Sequence, residues 1–175
     1  MNIVKEICTK YDGTYTAEER KNISSPAGAL IFQFQKGVFF FEGKKIIILI
    51  DEIGGAAYGT NPIQLIIQIS NPRNRILRIY PKFFIDKVLD FILNRDTKDI
   101  PTVLRKRFQF DGDKNLIHKI VSDQNIVQHL GKQNLTLYIK KENPSSLILS
   151  PSRGISNIEE AIMFINILKA VGEKI

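Results

Sequence analysis

The 175 residues carry 25 Lys and Arg against 18 Asp and Glu, a formal charge of +7, and 43% of them are hydrophobic. This composition excludes the charge-rich, apolar-poor class of disordered chains, and the lack of any run of about 18 apolar residues argues against a membrane-spanning helix. The length fits one domain, 1–175, with lobes over 1–94 and 103–175 as an alternative division.

In chain order, MNIVKEICTKYDG interleaves Lys5, Glu6 and Lys10 with apolar residues, so it predicts a short amphipathic helix and not a secretory signal. The single Cys8 has no internal partner and points to a reducing compartment, here the cytoplasm. With no His or second Cys close by, it reads as a small buried hydrophobe. Leu30 to Gln35 alternates at period two, and Lys36-Gly37 predicts a tight turn into Val38 to Phe41. Glu42-Gly43-Lys44-Lys45 then links that run to Ile46 to Ile50, a polar, Gly-containing hairpin signal. Because these runs are unbroken by polar residues, they predict central strands covered on both faces. The charges of the link belong in water, since placing them mid-membrane costs a few kcal/mol each, about 2.5–3.5.

Ile63, Leu65, Ile67 and Ile69 alternate with Gln64 and Gln68, so one face of that strand is core. Asn71-Pro72-Arg73-Asn74 predicts a turn, and Arg75 to Tyr80 a partner strand. A helix is expected from about Phe83 to Leu93, where Phe84, Val88, Phe91 and Ile92 recur at helical spacing. After a connector from Asn94 to Thr102, Phe108 and Phe110 mark a strand with Arg105 and Arg107 on its outer face. Asp111-Gly112 is a turn, and Leu116 to Val121 reads as a returning strand in preference to a helix. Ser122 and Asp123 begin a helix running to about Lys132. Two strands follow, Leu135 to Lys140 and Leu147 to Leu149, turned by Asn143 to Ser146. Ser156-Asn157-Ile158-Glu159 is a capping box for a final helix that buries Ile158, Ile162, Ile165 and Leu168. The fold class is α+β, an antiparallel meander followed by mixed elements, with helices packed on the sheet.

The segments FFFEGKKIIILIDE, RILRIYPKFF, DIPTVLRKRFQFDGD and IVSDQNIVQHL, with the terminal helix, span most of the chain from Gly28 onward. In this order they resemble a loosely defined group of uncharacterised bacterial α+β domains, some of them soluble portions of small membrane-associated proteins. That resemblance implies a fold and brings no catalytic residues.

Chemistry-bearing residues are sparse. Gly54, Gly55, Tyr58 and Gly59 lie in a small-residue loop bordering a candidate ligand site. The loop lacks the Lys of a phosphate loop, and Asn61-Pro62 leads into a strand where such a motif needs a helix N-terminus. His118 and His129 have no metal-ligand spacing, and Asp111 and Asp113 flank a turn without the remaining ligands of a calcium loop. Neither a cofactor nor a metal is expected. No acidic residue occurs between Glu52 and Asp86, whereas Arg73, Arg75, Arg78 and Lys82 crowd the end of that window and Arg105 and Arg107 follow. These six are the candidate anion-binding residues. Arg75 and Arg78 differ by an odd number of positions and so point to opposite faces of an ideal strand. Three functions follow, in order of preference. The first is a non-enzymatic module binding another protein, with a homodimer among the assemblies considered. The second is an anion, nucleic-acid or anionic-surface binder. The third is an enzyme with a site around Asp51, Glu52 and the Gly54 to Thr60 loop.

Overall fold

The computed structural model describes residues 2–19, 21–25, 28–54, 63–69, 75–82 and 99–175. Among them nine strands form one antiparallel sheet: β1 (Thr14–Ala17), β2 (Lys21–Ser25), β3 (Gly28–Phe41), β4 (Lys44–Gly54), β5 (Ile63–Gln68), β6 (Leu77–Pro81), β7 (Phe108–Gly112), β8 (Leu135–Lys140) and β9 (Asn143–Pro151). The spatial order is β1-β3-β4-β5-β9-β8-β6-β7, and β2 continues the line of β1 along the same edge of β3. Among the described residues five helices accompany the sheet: α1 (Ile3–Lys10), α2 (Thr102–Arg105), α3 (Lys114–Val121), α4 (Gln124–Leu130) and α5 (Ile158–Gly172). The protein is an α+β fold with helices packed on an antiparallel sheet, as expected. Among the described residues no helix is long and apolar enough to cross a membrane.

The β3–β4 hairpin closes through Glu42-Gly43 alone, with φ of 46° and 75°. Two successive positive φ values define the turn whose twist matches paired strands, which is why Gly occupies the second position. The expected turn at Lys36-Gly37 does not form, and β3 runs straight through it. Gly37 is small for another reason: a Cβ there would sit 2.7 Å from both Cys8 Sγ and Val4 Cγ1, because α1 lies directly on this strand. Asn2 caps α1 by accepting from the Lys5 N–H at 3.1 Å. The Asn2 amide also donates to the Tyr15 hydroxyl at 2.7 Å and to Gln35 Oε1 at 2.8 Å, tying the helix start to β1 and β3.

One face of the sheet carries the core. Phe39, Ile46, Ile67 and Leu147 face one another across β3, β4, β5 and β9, and Ile48, Leu65, Leu149, Leu137 and Ile79 continue the same face to β6. These residues are buried in a single cluster with Val4 and Ile7 of α1, Leu104 of α2, Leu116 and Ile120 of α3, Ile126 and Leu130 of α4, and Phe164, Ile165 and Leu168 of α5. Burying such side chains contributes roughly 1.5–3 kcal/mol each relative to exposure, so this face dominates the folding energy. On the other face Val38, Ile47, Leu49 and Ile66 are only partly buried. The expectation of two covered faces therefore holds on one.

Several other expectations are corrected. Arg75 to Tyr80 does not pair with β5: β6 lies between β8 and β7, and β9 takes the place beside β5. Leu116 to Val121 is helical. Asp113 Oδ1 accepts the N–H groups of Asn115 at 2.9 Å and Leu116 at 3.1 Å, starting α3, and Leu116, Ile120 and Val121 then fall on one buried face. Asp123 starts α4 in the same way, so two caps ten residues apart produce two short helices. Asn143 to Ser146 belongs to β9, and the turn is Lys141-Glu142. The final capping box is displaced by one residue: Asn157 Oδ1 accepts from the Glu160 N–H at 2.8 Å, and the Glu160 carboxylate reaches back to the Ser156 N–H at 2.8 Å. The buried face of α5 rotates accordingly to Ala161, Phe164, Ile165, Ile167, Leu168 and Val171, leaving Ile158 and Ile162 partly buried. The turn at 71–74 and the helix expected over 83–93 lie outside the described residues.

Candidate functional site: the second sheet face

Strand alternation sends every second residue away from the core. On β6, Leu77 and Ile79 are buried, whereas Arg78 is exposed and Tyr80 partly so. The register extends this face across the sheet. Val38, Ile47, Ile66, Ile148, Tyr138, Arg78 and Asp111 stand opposite one another in a single row from β3 to β7. The middle of the row is aliphatic. Ile148 is only 3% exposed, yet it is not part of the main core cluster. Phe40, at the β3 end of this face, is 65% exposed.

Among the described side chains of this face, charge is one-sided. Lys36 and Lys45 face outward from β3 and β4, Arg78 from β6 and, by alternation with Thr136 and Tyr138, Lys140 from the end of β8; all four are exposed. Asp111 is the acidic member among the described strand side chains of this face, and Lys21 at the far edge is paired with Glu18 at 3.3 Å. Lys36, Lys45, Arg78 and Lys140 take part in none of the ion pairs seen among the described residues. Between β6 and β8 the surface dips into an open cleft of about 280 Å3 lined by Arg78, Tyr80, Thr136 and Tyr138.

The other expected anion ligands are dispersed. Arg75 donates to the backbone carbonyl of Ile175, where it secures the end of the chain. Arg107 is not on a strand face. It precedes β7 and donates to the carbonyls of Gly131 and Gln133, the latter at 3.2 Å, and to Asn134 Oδ1 at 2.7 Å, clamping the α4–β8 connection. Arg105 closes the single-turn α2 and is partly buried, as is Lys82 after β6. Arg73 lies outside the described residues. Of the loop residues, Gly54 ends β4, while Gly55, Tyr58 and Gly59 lie outside the described residues, and for Asp51 and Glu52 only the strand backbone is described. Sequence reasoning missed Lys36, Lys45, Lys140 and Thr136 and, with them, Tyr138. Tyr138 stands beside Arg78 through β6–β8 pairing, a contact with no local signal.

A second hollow, of about 330 Å3 between α4 and α5, is bordered by Asn125, His129, Asn166, Lys169 and Glu173. Two of its polar groups are already engaged: His129 Nδ1 lies 2.7 Å from the Asn125 carbonyl, and Lys169 pairs with Glu42. His118 and His129 are both exposed on separate helices. Among the described residues no group of three His, Cys, Asp or Glu side chains is placed to hold a metal. Cys8 is buried, and burial pushes its thiol pKa upward against the smaller opposing effect of a backbone hydrogen bond from Val38. No family model, curated protein or solved structure matches this chain.

Proposed function

We propose that this chain is a non-enzymatic binding module that holds an anionic polymer on the second face of its sheet, in a reducing compartment suited to its lone, buried Cys8. The observation that carries this reading is the imbalance among the described side chains of that face: Lys36, Lys45, Arg78 and Lys140 are exposed there against Asp111, beside two tyrosine rings. From β3 to β6 the basic groups extend over about 24 Å, five strand spacings. That is long enough to follow several phosphates of a backbone, and too dispersed for one small anion.

The test is the affinity for fluorescein-labelled DNA as salt is raised. Release of condensed counterions makes log K fall linearly with log salt. The double variant Lys45→Glu, Arg78→Glu is expected to abolish binding with its folded-state circular dichroism unchanged. Absence of binding at low salt refutes the reading.

A second reading, a protein partner, is supported by the aliphatic row Val38, Ile47 and Ile66, partly buried in the middle of the same face. Apolar area at the centre with charge at the rim is the ordinary anatomy of a protein interface. Under that reading Ile47→Glu with Ile66→Glu removes cross-linked partners, or converts a dimer to a monomer in light scattering, and leaves DNA binding as it was.

A further inference from the structure

We infer that the anionic polymer is single-stranded nucleic acid, and that the cleft between β6 and β8 receives one of its bases against Tyr80 and Tyr138. This inference rests on the polyanion reading above and adds to it the class of polymer and the point of contact.

Four features of the cleft support it. First, its two rings come from adjacent antiparallel strands. Tyr138 stands opposite Arg78, so Tyr80 is its diagonal neighbour, and such neighbours lie about 7–8 Å apart. Both side chains line the one cleft, so a planar group entering it can meet either ring. Second, both tyrosines are partly exposed and neither is in a ring-to-ring contact among the described residues, where the contacts are those of Tyr11, at the end of α1, with Phe39 and Phe41. Third, Arg78 shares the cleft and has no hydrogen-bond or ion-pair partner among the described residues. A guanidinium free to make two parallel hydrogen bonds matches a phosphate better than an ammonium does. Fourth, Thr136 adds a hydroxyl that can donate to or accept from a base edge. Lys140 on β8 and the lysines of β3 and β4 remain to meet neighbouring phosphates.

The same geometry disfavours a duplex. Its bases are stacked inside and reach a protein ring only after being unstacked, whereas every base of a single strand offers a π face without that cost. It also disfavours an acidic protein segment, whose carboxylates would satisfy the basic rim but have no use for the two tyrosine rings of the cleft.

The experiment is an anisotropy titration of the whole chain with four probes at fixed salt: an oligothymidylate of about 12 nucleotides, within the site sizes known for single-strand binders; an abasic oligomer of the same length; a duplex; and poly-glutamate. The oligothymidylate is expected to bind about tenfold more tightly than the abasic oligomer, the factor that one stacked base supplies. Tyr80→Ala and Tyr138→Ala should each remove most of that preference. Tyr80→Phe and Tyr138→Phe should keep it, because the ring and not the hydroxyl carries the stacking; the Phe variants also guard against a loss of fold in the Ala variants. Arg78→Gln should lower the salt slope by about 0.7, the share of one phosphate contact on a single strand.

Equal affinity for the abasic oligomer, or a duplex bound as tightly as the single strand, overturns base insertion while leaving the polyanion reading standing. Poly-glutamate bound as tightly as oligothymidylate overturns it in favour of an acidic protein partner. Failure of all four probes to bind overturns both readings together.

Discussion

Replacing Gly37 by alanine tests the close approach of α1 to β3. The new methyl would lie 2.7 Å from Cys8 Sγ and 2.7 Å from Val4 Cγ1. Ordinary non-bonded contact begins at about 3.5–4 Å, so each neighbour must retreat by roughly 1 Å. Neither has room: Val4 is 0% and Cys8 1% exposed, and valine is stiff about χ1. Overpacking of this kind costs about 1–3 kcal/mol, while removing a glycine from a strand returns about 0.5–1 kcal/mol. The expected net loss is about 1–2 kcal/mol, or roughly 2–8 °C in Tm for a chain of this size. Urea unfolding should show a lower midpoint with an unchanged slope. Adding Cys8→Ala relieves one of the two collisions, so the double variant should be more stable than the sum of the single changes by about 1 kcal/mol. The Val4 contact persists and keeps the rescue partial. A Gly37→Ala protein as stable as wild type, or costs that simply add, would refute the reasoning.

Three further outcomes are expected. Arg107→Ala should cost about 2–4 kcal/mol by urea unfolding, because it strands the Gly131 and Gln133 carbonyls; Arg107→Lys should recover only part, since an ammonium cannot span three acceptors as a guanidinium fork does. Burial raises the Cys8 pKa in the folded state, so stability should be level below the ordinary thiol pKa and fall as pH rises above it. That alkaline slope should flatten in Cys8→Ala. In acid the sign reverses. Asp123 is held low, first by the Lys174 hydrogen bond and then by the Ile126 N–H. Glu160 is pushed up by burial but drawn lower overall by Ser156 and Arg153. Their stabilisation is present above the ordinary carboxylate range and lost as pH falls through the depressed values. Asp123→Asn, which keeps the cap oxygen, should therefore shift the acid unfolding midpoint without abolishing α4.

Local chemistry was legible in the sequence wherever one residue type had a single use. Gly43 announced the hairpin, the Ile63 to Ile69 alternation announced a half-buried strand, and Asp123 announced α4. The failures came where distant parts of the chain decided the outcome. Gly37 resembled a turn residue because the sequence does not show α1 lying against it. Leu116 to Val121 resembled a strand when read by itself, although Asp113 three positions before Leu116 was an available helix signal and Leu116 with Ile120 had helical spacing. The placement of β9 between β5 and β8 has no local mark at all, since several apolar strands could satisfy the same edge. The candidate site divides along the same line. Arg78 and Tyr80 were visible together on one strand, whereas Tyr138 joins them only through sheet pairing, and Arg75 and Arg107 were withdrawn from the basic group by backbone carbonyls that no charge count anticipates.

The interleaving of the sheet has a consequence for biosynthesis. Leu65 of β5 waits for Leu149 of β9, more than 80 residues later in the chain. At translation rates of about 5–20 residues per second, the edge of β5 stays unmet for roughly 4–16 s after it is made. A nascent polypeptide in that interval exposes an isoleucine-rich strand edge that can recruit another copy or a holdase before its own partner emerges from the ribosome. Yield in the cell should therefore depend on synthesis speed and chaperone supply more than the equilibrium stability of the finished molecule would suggest.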